Sequence, residues 1–579
     1  MWKSNSLIGN KQVFILRLLV GLIFGLALTW LGETMPNNHG DSDGTGIWRQ
    51  VSFAVIGLGA FVLWAGLGAM RRLSLAVWAG ISAIVIGYIA YHSVTMGDAR
   101  GVGYLGSAIT ILIFPFLFIT HELVSSGDQA GKIIAPYETY FDEAWKRGVQ
   151  LILSLIFTQL FLGILYLGAA LLGFIGIDWL KDLLAEKYFM VPAMGMAMAS
   201  AVHLGDVQPK LLSNFRNLVL SIFAWLLPLI VLVGGIFVVS LTFTGLAPLW
   251  NTKAATATLL AGCVIFVLLI NAAYGQGDTT HKINIALKIS IRIATVILAI
   301  FAVLAAYSLG LRINQYGFTP DRVFALIGVV IAVCYGIAYL GANLGHGAFM
   351  ENIERANIGL AFVKAAVFLA VLTPIGDPSR LSVNSQVARL VSGKITVDEF
   401  DWRLLRFDTG KYGSNALARL ASSNVAAIKT KAIAMGALDD SDRYDRPVES
   451  QPAKMQKPDP AQFTIVKGGT ALPPSFLNQN FDINRGELPN CLRERTKSAK
   501  CEVAIVDLNE DAKAELLFRA NYQLFVFYES NGEWKLQPVN GFPVDDNFKT
   551  SFAKGDVSSA KPKWNDLVVG NQVVDIDDH

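Results

Sequence analysis

The sequence predicts a polytopic α-helical membrane protein that carries a soluble C-terminal part. Of its 579 residues, 53% are hydrophobic and only 16% are charged, whereas globular domains carry about 25% charged residues. The apolar residues are concentrated in long runs before residue 376, and the remainder of the chain has an ordinary polar composition. The formal net charge of +3 is too small to indicate a nucleic-acid partner.

The predicted transmembrane bundle, residues 1–376, contains about eleven apolar runs near the length of about 20 residues that a helix needs to cross a bilayer. Two runs, 189–204 and 358–372, are short, and a re-entrant or interfacial segment is the alternative for each. The first run is not a cleaved signal peptide, because Arg17 interrupts it and no small-residue cleavage site follows. The runs cover residues 13–31, 51–70, 73–91, 102–120, 149–177, 189–204, 218–241, 254–274, 289–309, 323–342 and 358–372.

The lysines and arginines of the short loops predict the orientation. With the N-terminus inside, about twelve of them lie in inner loops and about seven in outer loops, which follows the positive-inside rule. The pair Arg71–Arg72 stands in a very tight turn and is a strong topological signal. An odd number of crossings then places the C-terminal part outside. We therefore expect a bacterial inner-membrane protein with a cytoplasmic N-terminus and a periplasmic C-terminal domain.

The four cysteines support the same orientation. Cys263 and Cys334 lie within apolar runs, where a thiol usually serves packing. Cys491 and Cys501 flank the basic segment LRERTKSAK in the soluble part. In an oxidising compartment such a pair forms a disulfide, and closing so short a loop contributes roughly 3 kcal/mol.

The soluble part is predicted to contain three regions. Residues 377–436 read as short amphipathic helices, with apolar residues at helical spacing in SVNSQVARLVSGKITVDEFDWRLLRF and a break at Gly393. Residues 437–462 are polar and proline-bearing, which is typical of a linker. Residues 463–579 read as a β-rich domain, because FTIVKGG, CEVAIVDL, AELLFRA, YQLFVFYE and EWKLQPV are short β-prone runs separated by turn residues. The stretch ESNGE predicts a hairpin.

Several stretches resemble one family. PYETYFDEAWKRGVQLILSLIFTQLFLGILYLGAALLGFIGI, FMVPAMGMAMA, INQYGFTPDRVFALIGVVIA and LSVNSQVARLVSGKITVDEFDWRLLRFDTGKYG are similar to parts of the DUF4153 family of bacterial polytopic inner-membrane proteins. The likeness covers about residues 11–420, and its motifs are loose. It implies a many-helix inner-membrane architecture. It implies no reaction and lends no catalytic residues.

Polar side chains inside the apolar runs are the usual indicators of function in a membrane protein. Lys364, His203 and Asn271 form the candidate intramembrane polar site. The alternatives are that Lys364 snorkels to the headgroups and that His203 lies at the interface. If Lys364 faces the bundle, it needs an acidic partner. The acids considered for that role are Glu122, Glu351 and Glu354.

Two further features have structural explanations. Arg17 lies near a helix end, so it is expected to snorkel. The stretch GLGAFVLWAGLGAM has small residues at small-xxx-small spacing, which favours close helix packing within the bundle over an oligomer interface. These small residues are Gly57, Gly59, Ala60, Gly66 and Gly68.

One stretch of the β-rich domain, DLNEDAKAE, carries oxygen-bearing side chains at alternate positions and resembles a calcium loop. It is not an EF-hand, because the twelfth position is Phe518. A plain acidic turn between two strands explains the same residues. The expected calcium ligands are the side chains of Asp507, Asn509, Asp511 and Glu515 and the carbonyl of Lys513.

No enzyme motif is found: the sequence has no P-loop, no nucleophile elbow and no GxGxxG after a strand. Three functions remain. The sequence favours an envelope scaffold or accessory protein that presents the periplasmic β-domain to another envelope protein. The alternative is a transporter or channel for a small solute or ion. The third is a membrane enzyme acting on lipid-linked substrates. In each case the lipid bilayer is a partner.

Overall fold

The computed structural model describes most of the chain. The described residues are 10–34, 44–96, 107–246, 249, 254–276, 283–345, 349–438, 455–483, 488–493, 500–509, 511–520, 523–530, 532–537, 546–559, 567–569 and 572–574. They divide into two compact units, Met1–Asp440 and Ser441–His579.

The first unit is helical. Its long helices follow the predicted apolar runs, with short turns between several of them. In chain order they are α1 (Asn10–Glu33), α2 (Gly44–Gly66), α3 (Arg72–Met96), α4 (Ser107–Ala130), α5 (Tyr137–Gly173), the short α6 (Trp179–Ala185), α7 (Lys187–Val207), α8 (Pro209–Thr244), α9 (Ala255–Tyr274), α10 (Ile285–Tyr316), α11 (Pro320–Leu344) and α12 (Asn352–Val371).

Nine of the described helices are long and apolar enough to cross a membrane, which fits a multi-pass membrane protein. The predicted run 189–204 lies within one of them, α7. The helices α4 and α12 are not among the nine. In α12 the charged residues Glu354, Arg355 and Lys364 interrupt the apolar sequence. Residues 107–120 of the first run and 358–371 of the second are helical, and the crossing of a membrane by these two helices stays a prediction.

The helices pack in two neighbouring groups. In the first, α1 packs on α7 and α2, and α2 packs on α3. In the second, α8, α9, α10 and α11 pack together around the largest apolar core. The helix α12 contacts α4, α5 and α11, and α5 in turn packs on both α7 and α8, so α5 joins the two groups.

The closest helix crossing involves glycines other than those of GLGAFVLWAGLGAM. A Cβ atom on Gly21 of α1 would lie 2.6 Å from the backbone carbonyl of Gly195 on α7. One turn further along, a Cβ on Gly25 would lie 2.6 Å from Cα of Pro192. At Gly59 nothing lies within 4 Å. The missing side chains thus let the backbones of α1 and α7 touch.

Polar contacts show which helix ends meet. At the start of α3, Arg71 pairs with Asp128 near the end of α4, with Nη2 and Oδ1 2.7 Å apart. Burial by itself would raise the pKa of Asp128, but hydrogen bonds from Ser74 and Arg71 outweigh it and lower the pKa. At the far end of α3, Nε2 of His92 lies 2.8 Å from Oδ2 of Asp377. These two sites are about 30 Å apart along α3, close to the thickness of a hydrocarbon core.

Residues after α12 form the predicted helical segment. It contains α13 (Pro378–Val391), a π-helical turn (Leu404–Asp408), α14 (Gly410–Leu420) and α15 (Ala426–Gly436) around a small core of its own. Asp377 caps α13, because its Oδ1 accepts hydrogen bonds from the backbone N–H groups of Ser379 and Arg380. Gln386 of α13 donates hydrogen bonds to the carbonyls of Tyr316 and Phe318, so α13 docks on the turn between α10 and α11.

The second unit contains the predicted β-rich region. All five predicted runs are strands of one sheet of order β2-β4-β5-β6-β7, in which β2 and β4 are parallel and the other neighbours are antiparallel. The predicted hairpin joins β6 and β7. The elements are β1 (Met455–Gln456), β2 (Phe463–Lys467), α16 (Pro474–Asn478), β3 (Phe481–Asp482), α17 (Asn490–Arg493), β4 (Cys501–Val506), β5 (Glu515–Ala520), β6 (Gln523–Ser530), β7 (Glu533–Gln537), α18 (Asp546–Ala553), β8 (Leu567–Val569) and β9 (Gln572–Val574).

Both faces of the five-stranded sheet are covered. On one face, Phe476 of α16 packs against Phe518, Phe527 and Trp534. On the other face, Phe552 of α18 belongs to a cluster with residues of β4 and β5. The strand β1 pairs with β3, so ordered structure begins within the stretch 437–462 that the sequence predicts as a linker. The remainder of that stretch, 439–454, lies outside the described residues.

The predicted disulfide is present. Cys491 of α17 is bonded to Cys501 at the start of β4, with the two Cα atoms 5.8 Å apart. Both cysteines are buried in the core of the second unit. Cys263 and Cys334 are free thiols within the helical unit.

Candidate functional site: a cavity between the helices

A cavity of about 970 Å³ lies in the helical unit between α4, α5, α9, α11 and α12. The cavity is partly open to the surface of the helical unit, and a concave, mostly apolar space of this size is a candidate binding site. Its wall is mostly apolar. The apolar wall includes Ile119, Leu123, Phe141, Leu260, Val264, Val267, Leu268, Phe324, Ile327, Ile331 and Phe368.

One face of α12 supplies two of the polar residues of this wall. Asn357, Ala361, Lys364 and Phe368 all line the cavity. They follow one another at intervals of four, three and four residues, which keeps them on a single helix face. The helix α9 repeats the pattern, because its Asn271 lines the cavity seven residues after Val264. Helical spacing therefore brings polar side chains of different helices to one space.

Three of these helices are tied by a closed ring of hydrogen bonds. Nδ2 of Asn271 donates to the hydroxyl of Tyr339 at 2.7 Å, and that hydroxyl donates to Oδ1 of Asn357 at 2.7 Å. Nδ2 of Asn357 then donates to Oδ1 of Asn271 at 2.7 Å. A longer hydrogen bond of 3.4 Å links Asn357 to the hydroxyl of Tyr137 on α5. The ring therefore links α9, α11 and α12 at the positions of Asn271, Tyr339 and Asn357.

Lys364 is the cation on the cavity wall. Its Nζ lies over the ring of Tyr335, 5.3 Å from the ring centroid. Tyr335 lies on the same cavity wall. Among the described residues, no carboxylate forms an ion pair with Lys364. Glu354, one of the partners considered from the sequence, instead accepts a hydrogen bond from the hydroxyl of Tyr274 at 3.0 Å.

Glu122 is the acid on the cavity wall, and its carboxylate faces Arg147. It is buried near the end of α4, and its Oε1 lies 3.1 Å from Nε of Arg147 on α5. Arg147 also lies 3.6 Å from Glu143 and donates a hydrogen bond to the carbonyl of Ala65 at 2.6 Å. Beside it, Nδ1 of the buried His121 accepts a hydrogen bond from the indole of Trp78 at 3.1 Å.

Arg17 forms a second buried ion pair, away from the cavity. Its side chain is about 1% exposed, and Nη2 lies 2.6 Å from Oδ2 of Asp206 at the end of α7. Gln150 of α5 donates to the other oxygen of Asp206 at 3.1 Å. The expectation that Arg17 snorkels to the headgroups is wrong. Because its guanidinium is paired with a carboxylate on a neighbouring helix, Arg17 does not have to extend to the water at the membrane surface.

The structure brings together two of the three predicted intramembrane site residues. Lys364 and Asn271 both line the cavity. His203 does not belong to its lining, and its ring rests on that of Phe14, with centroids 4.8 Å apart. Sequence reasoning missed Asn357 and Tyr339. The seven-residue spacing between Asn357 and Lys364 was the signal available for Asn357, since both then occupy one face of a helix.

The predicted calcium loop is a turn held by its own hydrogen bonds. Oδ2 of Asp507 accepts from the backbone N–H of Ala512, and Oδ1 of Asn509 accepts from that of Asp511. Oδ1 of Asp511 accepts from the N–H of Lys513, and Oε2 of Glu515 accepts from that of Leu508. Each predicted ligand side chain thus uses one oxygen within the turn. The described part of the chain holds no cluster of three or more His, Cys, Asp or Glu side chains suited to a metal ion. Calcium binding here stays a prediction.

The chain was compared with known proteins. The family model described as "Domain of unknown function (DUF4153)" matches residues 50–408, which is more than half of the chain. The chain belongs to the DUF4153 family. The match begins within α2 and ends at the π-helical turn that precedes α14, so the family region of this DUF4153 protein contains every helix that lines the cavity. No curated protein and no solved structure matches the chain.

Proposed function

We propose that this DUF4153 protein is a multi-pass membrane protein whose helical unit binds and carries a small amphipathic solute. The observation that carries this proposal is the cavity of about 970 Å³ between α4, α5, α9, α11 and α12. Its size is at the upper end of the roughly 300–1,000 Å³ typical of ligand sites. An apolar wall with a few convergent polar groups is the usual composition of such sites.

The polar groups of the cavity support a binding site over a packing defect. A structural void would be lined by apolar side chains alone. Here Lys364, Glu122, Asn271 and Asn357 lie on the wall. Polar and charged groups are expensive within a bilayer, and where they occur they usually mark a solute or ion pathway. The transporter hypothesis therefore gains support from the geometry.

The orientation belongs to the same proposal. We place the protein in a bacterial inner membrane with eleven crossings, including α4 and α12, and with a cytoplasmic N-terminus. The inner-loop pair Arg71–Arg72 lies at the helix end marked by Asp128. Asp377 lies at the opposite end of α3, so residues 377–436 are assigned to the periplasmic side. A periplasmic second unit is supported by its Cys491–Cys501 disulfide.

An alkaline-phosphatase fusion at residue 579 tests this orientation. We expect an active fusion at that position and an inactive one in the turn at residue 132, between α4 and α5. An inactive fusion at residue 579 together with an active one at 132 would reverse the proposed orientation.

A second function, presentation of the C-terminal unit to an envelope partner, is favoured by a different observation. The second unit is compact, has a core on each face of its sheet and is closed by a disulfide. Such a unit folds around its own contacts, as a binding module would. Photo-crosslinking in cells from exposed positions such as Lys535 would give one discrete adduct if this role holds, and no adduct at any exposed position would count against it.

A photoreactive apolar probe tests the cavity directly. We expect diazirine-labelled methyl palmitate, added to the protein in lipid nanodiscs, to label peptides of α9 and α12 that line the cavity. Ala361→Phe fills the cavity from α12, so it should reduce this labelling severalfold. Ala366→Phe is the matched control, because Ala366 is exposed and lies outside the lining.

One result of this experiment would contradict the binding site. Uniform labelling of lipid-facing helices, unchanged by Ala361→Phe, would show that the probe reports on the bilayer and that the cavity binds nothing. Both variants should elute from gel filtration like the parent chain, which confirms that they fold.

A further inference from the structure

We infer that the cavity selects an amphiphile with an anionic headgroup and that Lys364 binds this headgroup. The inference rests on the proposed function, because it specifies the ligand of the same cavity. It follows from the charge of Lys364, the lack of a counter-ion for it among the residues that the structure describes and the closed hydrogen bonding of the neighbouring polar groups.

The position of Lys364 makes its charge costly without a ligand. Lys364 is seven residues from Val371, the last residue of α12, which is about 10 Å along the helix. A charged ammonium within a membrane helix is unfavourable unless it is paired. The ring of Tyr335 offsets part of this cost through a cation–π contact.

The acids of the helical unit do not supply the missing charge. Glu122, on the same cavity wall, is 3.1 Å from Arg147. Glu354 accepts the hydrogen bond of Tyr274. Lys364 itself takes part in no ion pair among the described residues. An ammonium has three N–H donors, so Lys364 could donate hydrogen bonds to an anion in the cavity.

Two neutral polar groups of the wall, Asn271 and Asn357, are already hydrogen-bonded in a ring that Tyr339 completes. Asn271, Tyr339 and Asn357 each donate to the next member of their ring and accept from the previous one. A ligand headgroup would gain little by competing with these bonds. Asn357 and Lys364 are separated by two helical turns, about 10 Å, so the headgroup site and the ring are distinct places on the wall.

The remaining wall accommodates an apolar tail. Ile331 of α11, Leu260 and Val264 of α9 and Phe368 of α12 also line the cavity. An apolar chain against these side chains is held by dispersion contacts. A ligand with one anionic group and one apolar chain therefore complements the cavity. Fatty acids and other acidic, single-headed amphiphiles are ligands of this class.

The test compares two probes that differ in charge alone. Diazirine-labelled palmitic acid carries a carboxylate, and its methyl ester does not. Each is added to the full-length protein in nanodiscs, and labelling of cavity peptides is measured by mass spectrometry. In the parent chain we expect the acid to label at lower concentration than the ester.

Two variants at one position identify the role of Lys364. Lys364→Met keeps the length of the side chain but removes the charge, so the acid should label roughly tenfold less, as for the loss of one charged hydrogen bond. Labelling by the ester should fall much less than labelling by the acid, and elution from gel filtration at the position of the parent chain shows that the variant folds. Lys364→Arg keeps the charge and should keep the preference for the acid.

The outcomes separate this inference from the proposed function. If the ester labels the cavity but the parent chain shows no preference for the acid, or if Lys364→Met keeps that preference, the headgroup assignment is wrong and the binding cavity stands. If neither probe labels cavity peptides above the level of other lipid-facing helices, the binding cavity is wrong as well.

Discussion

Two buried arginines of this protein are each paired with a carboxylate on another helix. Arg17 on α1 is paired with Asp206 on α7, and Arg147 on α5 with Glu122 on α4. The first pair joins helices that are distant in sequence, and the second joins two consecutive helices, so each pair also fixes which helices are neighbours. Lys364 has a ring as its contact and no carboxylate among the described residues. That difference is why Lys364 is assigned to a ligand and the arginines to structure.

The Arg17–Asp206 pair gives a stability prediction. Asp206→Asn leaves a guanidinium that is about 1% exposed without its counter-charge, and breaking a buried pair in this way costs about 3–5 kcal/mol. Asp206 itself is about 30% exposed, so we expect the lower end of that range. Thermal unfolding in detergent should show a clearly lower melting temperature.

A matched control is the Arg71–Asp128 pair. Arg71 is about 70% exposed, and exposed pairs contribute about 0–1 kcal/mol, so Arg71→Ala should leave the melting temperature nearly unchanged. Equal effects of Asp206→Asn and Arg71→Ala would show that the buried pair has no special role in stability.

At the scale of elements, the contact between α1 and α7 depends on glycine. Gly21, Gly25 and Gly195 let the two backbones touch, and van der Waals contact between such close helices drives association in membranes. The small residues around Gly59 do not have this role: a Cβ there would meet nothing within 4 Å. Small-xxx-small spacing is present in both places, and the structure shows which one is used.

This difference predicts the effect of two identical substitutions. Gly21→Ala places a methyl group 2.6 Å from the backbone of Gly195, and overpacking of this kind costs roughly 1–3 kcal/mol. Gly59→Ala adds a methyl group in open space and should be neutral. Melting temperatures of the two variants in the same detergent provide the measurement, and a neutral Gly21→Ala would contradict the observed crossing.

The helical segment after α12 is hydrogen-bonded to the end of α10 and to the turn that follows it. Gln386 donates to the carbonyls of Tyr316 and Phe318, and Arg389 donates to those of Asn314 and Gln315. These carbonyls end α10 or follow it, where helix C-termini leave acceptors without partners. A cation at that end also complements the helix dipole. The segment is therefore held by backbone groups that need donors.

At the scale of the whole molecule, two compact units follow one another in the chain. The helical unit contains the cavity, and the second unit has its own apolar core and a disulfide. We therefore expect each unit to have its own free energy of unfolding. A change in the core of one unit should alter the stability of that unit.

The disulfide provides the test of this division. Replacing both Cys491 and Cys501 with Ser removes the cross-link, which should lower the stability of the second unit by roughly 3 kcal/mol. Pulse proteolysis of the full chain in urea follows each unit by its fragments, and fragments of the helical unit should appear at an unchanged urea concentration. Cys334→Ser, which alters a free thiol, is the control. Equal protection of the second unit with and without the disulfide would contradict the prediction.

The sequence alone determined the features that depend on local composition. Apolar runs such as 218–241 became helices, five β-prone runs became one sheet, and Cys491 and Cys501 became a disulfide. Each is decided by short-range properties: the length of an apolar stretch, the alternation of β-prone residues, or the closeness of two cysteines in the chain.

Only the tertiary structure decided which polar groups meet. Arg17 and Asp206 are 189 positions apart, and five helices from different parts of the chain enclose the cavity. Periodicity shows that Asn357 and Lys364 share a helix face, but it does not show which helix that face meets. A cavity is space that no side chain fills, so it depends on how all the surrounding helices pack. For that reason the sequence named Lys364, Asn271 and His203 together, and the packing of the helices placed the first two on the cavity and His203 elsewhere.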